Sequence, residues 1–71
     1  MSDITLGIIG SGQLGSLLCQ AASKLNVKTV IISDDKQGPA QNYSDEFIFA
    51  KYEDKDKIKE FINKVDIATY E

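Results

Sequence analysis

An α/β fold is what this sequence predicts, built on a parallel sheet with strand order 3-2-1-4, the first half of a doubly wound arrangement. Three observations lead there. Strand-sized apolar runs alternate with segments whose apolar residues recur at helical spacing. A glycine-rich turn joins the first run to the first helical segment. Each strand is separated from the next by enough chain for a crossover, and crossovers between parallel strands are right-handed.

The elements follow in order. Ile4 to Ile9 (ITLGII) is a short apolar run ending in glycines, as expected of a strand buried on both faces. Gln13 to Leu25 carries Leu14, Leu17, Leu18, Ala21, Ala22 and Leu25 on one helical face. Asn26 suits the end of that helix. Lys28 to Ser33 (KTVIIS) is rich in β-branched residues and reads as the second strand. Asp34 to Ser44 is a polar connection, in which Pro39 can open one short helical turn. Glu46 to Ala50 (EFIFA) is a third strand. Asp54 is a good N-cap for a second helix with Ile58, Phe61, Ile62 and Val65 on one face and lysines on the other. Asp66 to Tyr70 (DIATY) is the fourth strand. Cys19, Tyr43, Phe47 and Phe49 are expected as packing residues, and the lysines between positions 55 and 64 as a solvated face.

Composition excludes several classes. The chain has 71 residues, 42% of them hydrophobic, which is too apolar for a disordered tail. No apolar run approaches the roughly 18 residues of a membrane span. Eleven acidic against eight basic residues argue against a nucleic-acid surface. All eight basic residues are Lys, so an anionic ligand must be held by Lys, by backbone N–H groups or by residues outside this chain. The single Cys19 cannot form an internal disulfide, and no basic-then-apolar leader is visible; a reducing cytoplasm is the simplest compartment. Two helices cannot cover both faces of four apolar strands. Residues 1–71 are therefore expected to form one N-terminal domain of a longer chain, the alternative being a short domain that dimerises to cover its sheet.

The chemistry-bearing motif is Gly10-Ser11-Gly12-Gln13-Leu14-Gly15, a G-x-G-x-x-G between strand and helix. Gly10 permits the tight turn, Gly12 lets a ligand approach the backbone, and Gly15 lets the helix pack close to the strand. N–H groups and the dipole at a helix start favour a phosphate there. The competing explanation is a turn that needs glycine for geometry alone. Asp34 lies 19 residues after Gly15, where dinucleotide-binding domains carry a ribose-binding acid, and Asp35 follows it. Paired aspartates are also ordinary turn residues. In a 3-2-1-4 sheet the switch point lies between strands 1 and 4, so Glu71, after the fourth strand, should face the glycine turn. A carboxylate there suits a ribose diol or an amino group, or else it is a solvated strand end. Gln13 could add an amide.

Three stretches carry a family resemblance: GIIGSGQLGSLLCQAASKL, GPAQNYSDEFIFAKYED and DIATYE. In order and spacing, the chain resembles the N-terminal, Rossmann-like pre-ATP-grasp domain of N5-carboxyaminoimidazole ribonucleotide synthase, the ATPase subunit of phosphoribosylaminoimidazole carboxylase. The resemblance implies a ligase of purine biosynthesis that joins bicarbonate to 5-aminoimidazole ribonucleotide. ATP converts bicarbonate to carboxyphosphate, and the exocyclic amine captures the carboxyl group. It further implies that ATP and Mg²⁺ are bound by other parts of a homodimeric full-length enzyme, and that no catalytic or metal-binding residue lies in this segment. Gly12, Gln13 and Leu14 would line the ribonucleotide site and Glu71 would contact the substrate, with Ser33, Asp34 and Asp35 as further candidates. Two departures stand out: Ser16-Leu17 where many relatives have Arg-Met, and Ser33-Asp34-Asp35 where many have Asp-Pro. An NAD(P)-binding dehydrogenase domain and a stand-alone nucleotide-binding module are the alternative functions.

Overall fold

The computed structural model describes residues 4–70. Its elements are β1 (Thr5–Ile9), α1 (Gln13–Lys24), β2 (Lys28–Ser33), a 3₁₀ turn (Pro39–Asn42), β3 (Glu46–Phe49), α2 (Lys55–Lys64) and β4 (Ile67–Tyr70). All three strand pairings are parallel, and the order is β3-β2-β1-β4, as the sequence predicts. The register sets Ile9 opposite both Ile32 of β2 and Tyr70 of β4, which aligns the carboxyl ends of the three strands around the glycine turn.

Strand β2 lies between two partners and is buried from Thr29 to Ser33. Its alternation sends side chains into two cores. Val30 and Ile32 join Ile48, Ala50 and Phe61 beneath α2, with Ile9, Ile58 and Val65 packed alongside. Ile31 joins Ile8, Cys19 and Ala40 beneath α1 and the 3₁₀ turn, with Leu6, Leu18 and Phe47 alongside. Fully burying an Ile contributes about 1.5–3 kcal/mol.

The buried face of α1 differs from the predicted one. Gly15, Ser16, Cys19 and Ala22 face the sheet, while Leu14 is 55% and Leu17 58% exposed. Leu25 and Ala21 are exposed too, and of the leucines predicted on this face Leu18 alone is half-buried. The cause is the glycine turn, which starts the helix so near the sheet that only small side chains fit between them. At the far end Asn26 takes a left-handed conformation (φ 60°). The Val27 N–H then reaches the Ala22 carbonyl at 2.9 Å and the Asn26 N–H the Ser23 carbonyl at 3.1 Å, a Schellman stop.

Helix α2 has the expected cap: the Asp54 carboxylate accepts the Lys57 N–H at 3.2 Å. Phe61 is its buried anchor; Ile62, predicted on the same face, is exposed because α2 leans toward β1 and β2 and leaves β4 largely uncovered. Tyr43 and Phe49 are likewise exposed, where the sequence suggested core and cover, while Phe47 is half-buried against the α1 side. Lys64, on the wet side of α2, pairs with Glu46 of β3 and with Glu60 at 3.5 Å.

The Phe61 ring lies directly over Gly7. A Cβ at Gly7 would stand 2.6 Å from Phe61 Cζ and 2.8 Å from a Val65 methyl carbon. Gly7→Ala is expected to push α2 off the sheet and cost about 1–3 kcal/mol, read as a lower urea midpoint at unchanged m-value. Burial raises the Cys19 pKa, opposed by a hydrogen bond with Thr29 and aided by the negative charge of Asp45. As pH rises, the unfolded thiol ionises first, while the native thiol holds its proton. Stability contributed by Cys19 is therefore intact below the ordinary thiol pKa and is lost as pH climbs through the raised native value. The Cys19→Ala variant should show a flatter loss of stability than wild type across that alkaline window, measured by urea unfolding at a series of pH values.

Candidate functional site

The sharp feature of the site is Gly10. Its φ of 115° is closed to other residues without strain, and its N–H continues the β1–β2 ladder to the Ile32 carbonyl at 2.9 Å. The chain then turns through Ser11 and Gly12 into α1. Gly12 is the N-cap, in an ordinary extended conformation (φ −78°, ψ −165°), and its carbonyl accepts the Ser16 N–H at 3.0 Å. Among the described residues no side chain caps the helix, and its first turn holds no acidic residue. Gln13 and Leu14 are its first two residues, positions whose N–H groups have no acceptor within a helix. Both side chains are exposed. The arrangement suits an anion: the positive end of the dipole, exposed first-turn residues and no carboxylate in the first turn to repel it.

The other predicted residues divide. Ser33 is buried at the end of β2, its hydroxyl 2.9 Å from that of Ser11. Asp34 and Asp35 are exposed, and the Asp35 carboxylate accepts the Gln37 N–H at 2.8 Å. Lys36, in the same loop, places its ammonium 4.5 Å from the centre of the Phe49 ring. Tyr70 lies opposite Ile9, one residue before the turn; Glu71 lies outside the described residues. Two participants escaped the sequence reading. Ser11 reads in sequence as a spacer between glycines, and Gly38 as part of a polar connection. The one available signal was a Gly-Pro pair ahead of a short helical turn.

A shallow cavity of about 500 Å³ lies at the opposite end of the sheet, among the first residues of β1, β2 and β3. Several of its polar groups are already engaged with one another. Asp45 accepts the Thr29 N–H at 2.8 Å, and Lys64 is paired with Glu46. The carboxyl ends of the strands, beside the switch point, are where a parallel open sheet presents a ligand site. Among the described residues, no group of three or more His, Cys, Asp or Glu is placed to hold a metal ion.

The sequence pattern of the ribonucleotide synthetase preATP-grasp domain matches residues 3–71. The chain belongs to that family. It is 40% identical over 67 residues to N5-carboxyaminoimidazole ribonucleotide synthase of Staphylococcus aureus (strain COL), an alignment covering 94% of this chain and 18% of the relative. It is 41% identical over 73 residues to phosphoribosylaminoimidazole carboxylase of Ogataea methanolica, covering 100% of this chain and 13% of that protein. Among solved structures, the S. aureus N5-carboxyaminoimidazole synthetase complexed with ADP superposes with a TM-score of 0.91 at 39% identity, over 97% of this chain and 18% of the other. The Thermotoga maritima N5-carboxyaminoimidazole ribonucleotide synthetase gives a TM-score of 0.87 at 31% identity, over 96% and 19%. The family chain thus spans less than a fifth of these relatives' length. Its fold is the Rossmann-like pre-ATP-grasp fold of ATP-grasp ligases of this type.

The pre-ATP-grasp domain depends on Gly10 for the geometry of its turn. Gly10→Ala is expected to cost about 1–3 kcal/mol through backbone strain alone, visible as a lowered unfolding midpoint.

Proposed function

We propose that this chain is the substrate-binding N-terminal domain of an ATP-dependent carbon–nitrogen ligase. In this reading the full-length enzyme carboxylates 5-aminoimidazole ribonucleotide with bicarbonate, giving N5-carboxyaminoimidazole ribonucleotide in purine biosynthesis. The observation that carries it is the glycine turn opening onto the switch point of a pre-ATP-grasp domain whose relatives bear that synthase's name. The turn supplies Gly12, Gln13 and Leu14 to the ribonucleotide phosphate. The aminoimidazole then extends toward the end of β4, where Glu71 follows Tyr70 in the chain and accepts a hydrogen bond from the substrate. ATP and Mg²⁺ are held outside this domain, and bicarbonate is activated there. The whole enzyme is read as a cytoplasmic homodimer.

The division of labour has kinetic consequences in the full-length enzyme. Gly12 has a backbone conformation open to any residue, so Gly12→Val should fold normally and still lose ribonucleotide affinity, because a side chain blocks approach to the turn. Wild-type affinity in that variant, measured by calorimetry, would make the turn purely structural. Losing a charge-assisted hydrogen bond costs about 1.5–3 kcal/mol, so Glu71→Gln should raise the ribonucleotide KM roughly 10- to 150-fold and leave the KM for ATP nearly unchanged. A collapse of kcat at constant ribonucleotide KM would make Glu71 a catalytic group and sink its assignment to binding.

A further inference from the structure

Dinucleotide sites built on a glycine turn place the adenosine ribose between that turn and an acidic residue at the end of the second strand. In this chain that space is filled by protein. Ser11, in the middle of the turn, is 4% exposed, and Ser33, the last residue of β2, is 2% exposed. Their hydroxyl oxygens are 2.9 Å apart. The Asp35 N–H donates to Ser33 Oγ at 3.0 Å, and Ser11 Oγ donates to the Asp35 carbonyl at 3.3 Å. A carbonyl only accepts, so the one proton of Ser11 is spent there and the bond between the serines runs from Ser33 to Ser11. Three hydrogen bonds therefore close a ring in which each hydroxyl donates once and accepts once.

The ring folds the loop after β2 back onto the glycine turn. Within the loop, the Asp35 carboxylate is engaged by the Gln37 N–H. Gly38 then meets Ser11 so closely that a Cβ would stand 2.1 Å from its hydroxyl oxygen and 2.3 Å from its carbonyl oxygen. That carbonyl accepts the Ala40 N–H at 3.1 Å. Asp34 is exposed, as a ribose-binding acid would be, but Ser33, Asp35 and Gly38 already occupy the approach to the turn from the β2 side.

We infer that the Ser11–Ser33–Asp35 ring seals the β2 side of the glycine turn and restricts the site to mononucleotides, excluding extended dinucleotides. A ligand reaches the turn from the β4 side only, over Gly12, Gln13 and Leu14. The inference rests on the ribonucleotide reading above and adds the origin of its selectivity.

The test is TROSY amide NMR on the full-length protein, ¹⁵N-labelled, titrated to millimolar concentration with 5-aminoimidazole ribonucleotide, AMP or NAD⁺. The expected result is movement of the Gly12–Leu14 amides with 5-aminoimidazole ribonucleotide and none at residues 33–38 with NAD⁺. Shifts at residues 33–38 with NAD⁺ overturn the inference, whatever the ribonucleotide does. A response to AMP but not to 5-aminoimidazole ribonucleotide keeps the seal and removes the substrate reading; no response to any mononucleotide overturns both. Ser33→Ala breaks two bonds of the ring at a small side chain and should remain folded. Hydrogen exchange at the Asp35 and Ala40 amides is expected to rise by about tenfold or more in it, with the amides of Ile8 and Ile31 unchanged. Equal exchange in wild type and variant would mean that the ring does not hold the loop.

Discussion

Strand β2 is hydrogen-bonded on both edges and covered on both faces, and the other elements take their positions from it. A parallel strand so placed must be apolar on alternate sides, which Val30, Ile31 and Ile32 provide. Ile31 draws α1 and the 3₁₀ turn to one face, and Val30 and Ile32 draw α2 to the other. The carboxyl end of β2 contributes the carbonyl that receives the Gly10 N–H and the hydroxyl that meets Ser11. The central strand is thus also the anchor of the site.

The two helices solve the covering problem differently. Helix α1 comes close and uses small residues, so that backbone meets sheet with little between. Helix α2 stands off and fills the gap with Phe61, whose ring needs the bare Cα of Gly7 beneath it. The glycines on β1 and in its turn therefore answer two constraints: room for a ring at Gly7 and a positive φ at Gly10. Both follow from fitting two helices around one short strand.

Much of this was legible in the sequence. Strand order followed from alternation and the handedness of crossovers, the start of α2 from Asp54, and the end of α1 from Asn26. The glycine turn was legible because strand, turn and helix are contiguous. The orientation of α1 was not: periodicity locates an apolar stripe, and here the leucines flank a seam of small residues set by the distance between helix and sheet. The ring of Ser11, Ser33 and Asp35 was hidden for another reason. Serine and aspartate read as generic turn residues, and their meaning appears only when positions 22 and 24 residues apart are brought within hydrogen-bonding distance.

Strand β4 is held at its base by a reciprocal pair of bonds: the Thr5 N–H donates to the Asp66 carboxylate at 2.8 Å, and the Asp66 N–H to the Thr5 carbonyl at 2.9 Å. Those partners are 61 residues apart, whereas β1 and β2 meet across the much shorter span of α1. Closing the longer loop costs about 0.9 kcal/mol more chain entropy than closing the shorter one. The strand repays little of that by burial, since Ile67 and Tyr70 remain exposed. The β1–β4 pairing therefore gains less from burial, against a larger closure cost, than the β1–β2 pairing does. The flank of the glycine turn toward β4 is thus held by the less buried of the two strands that neighbour β1.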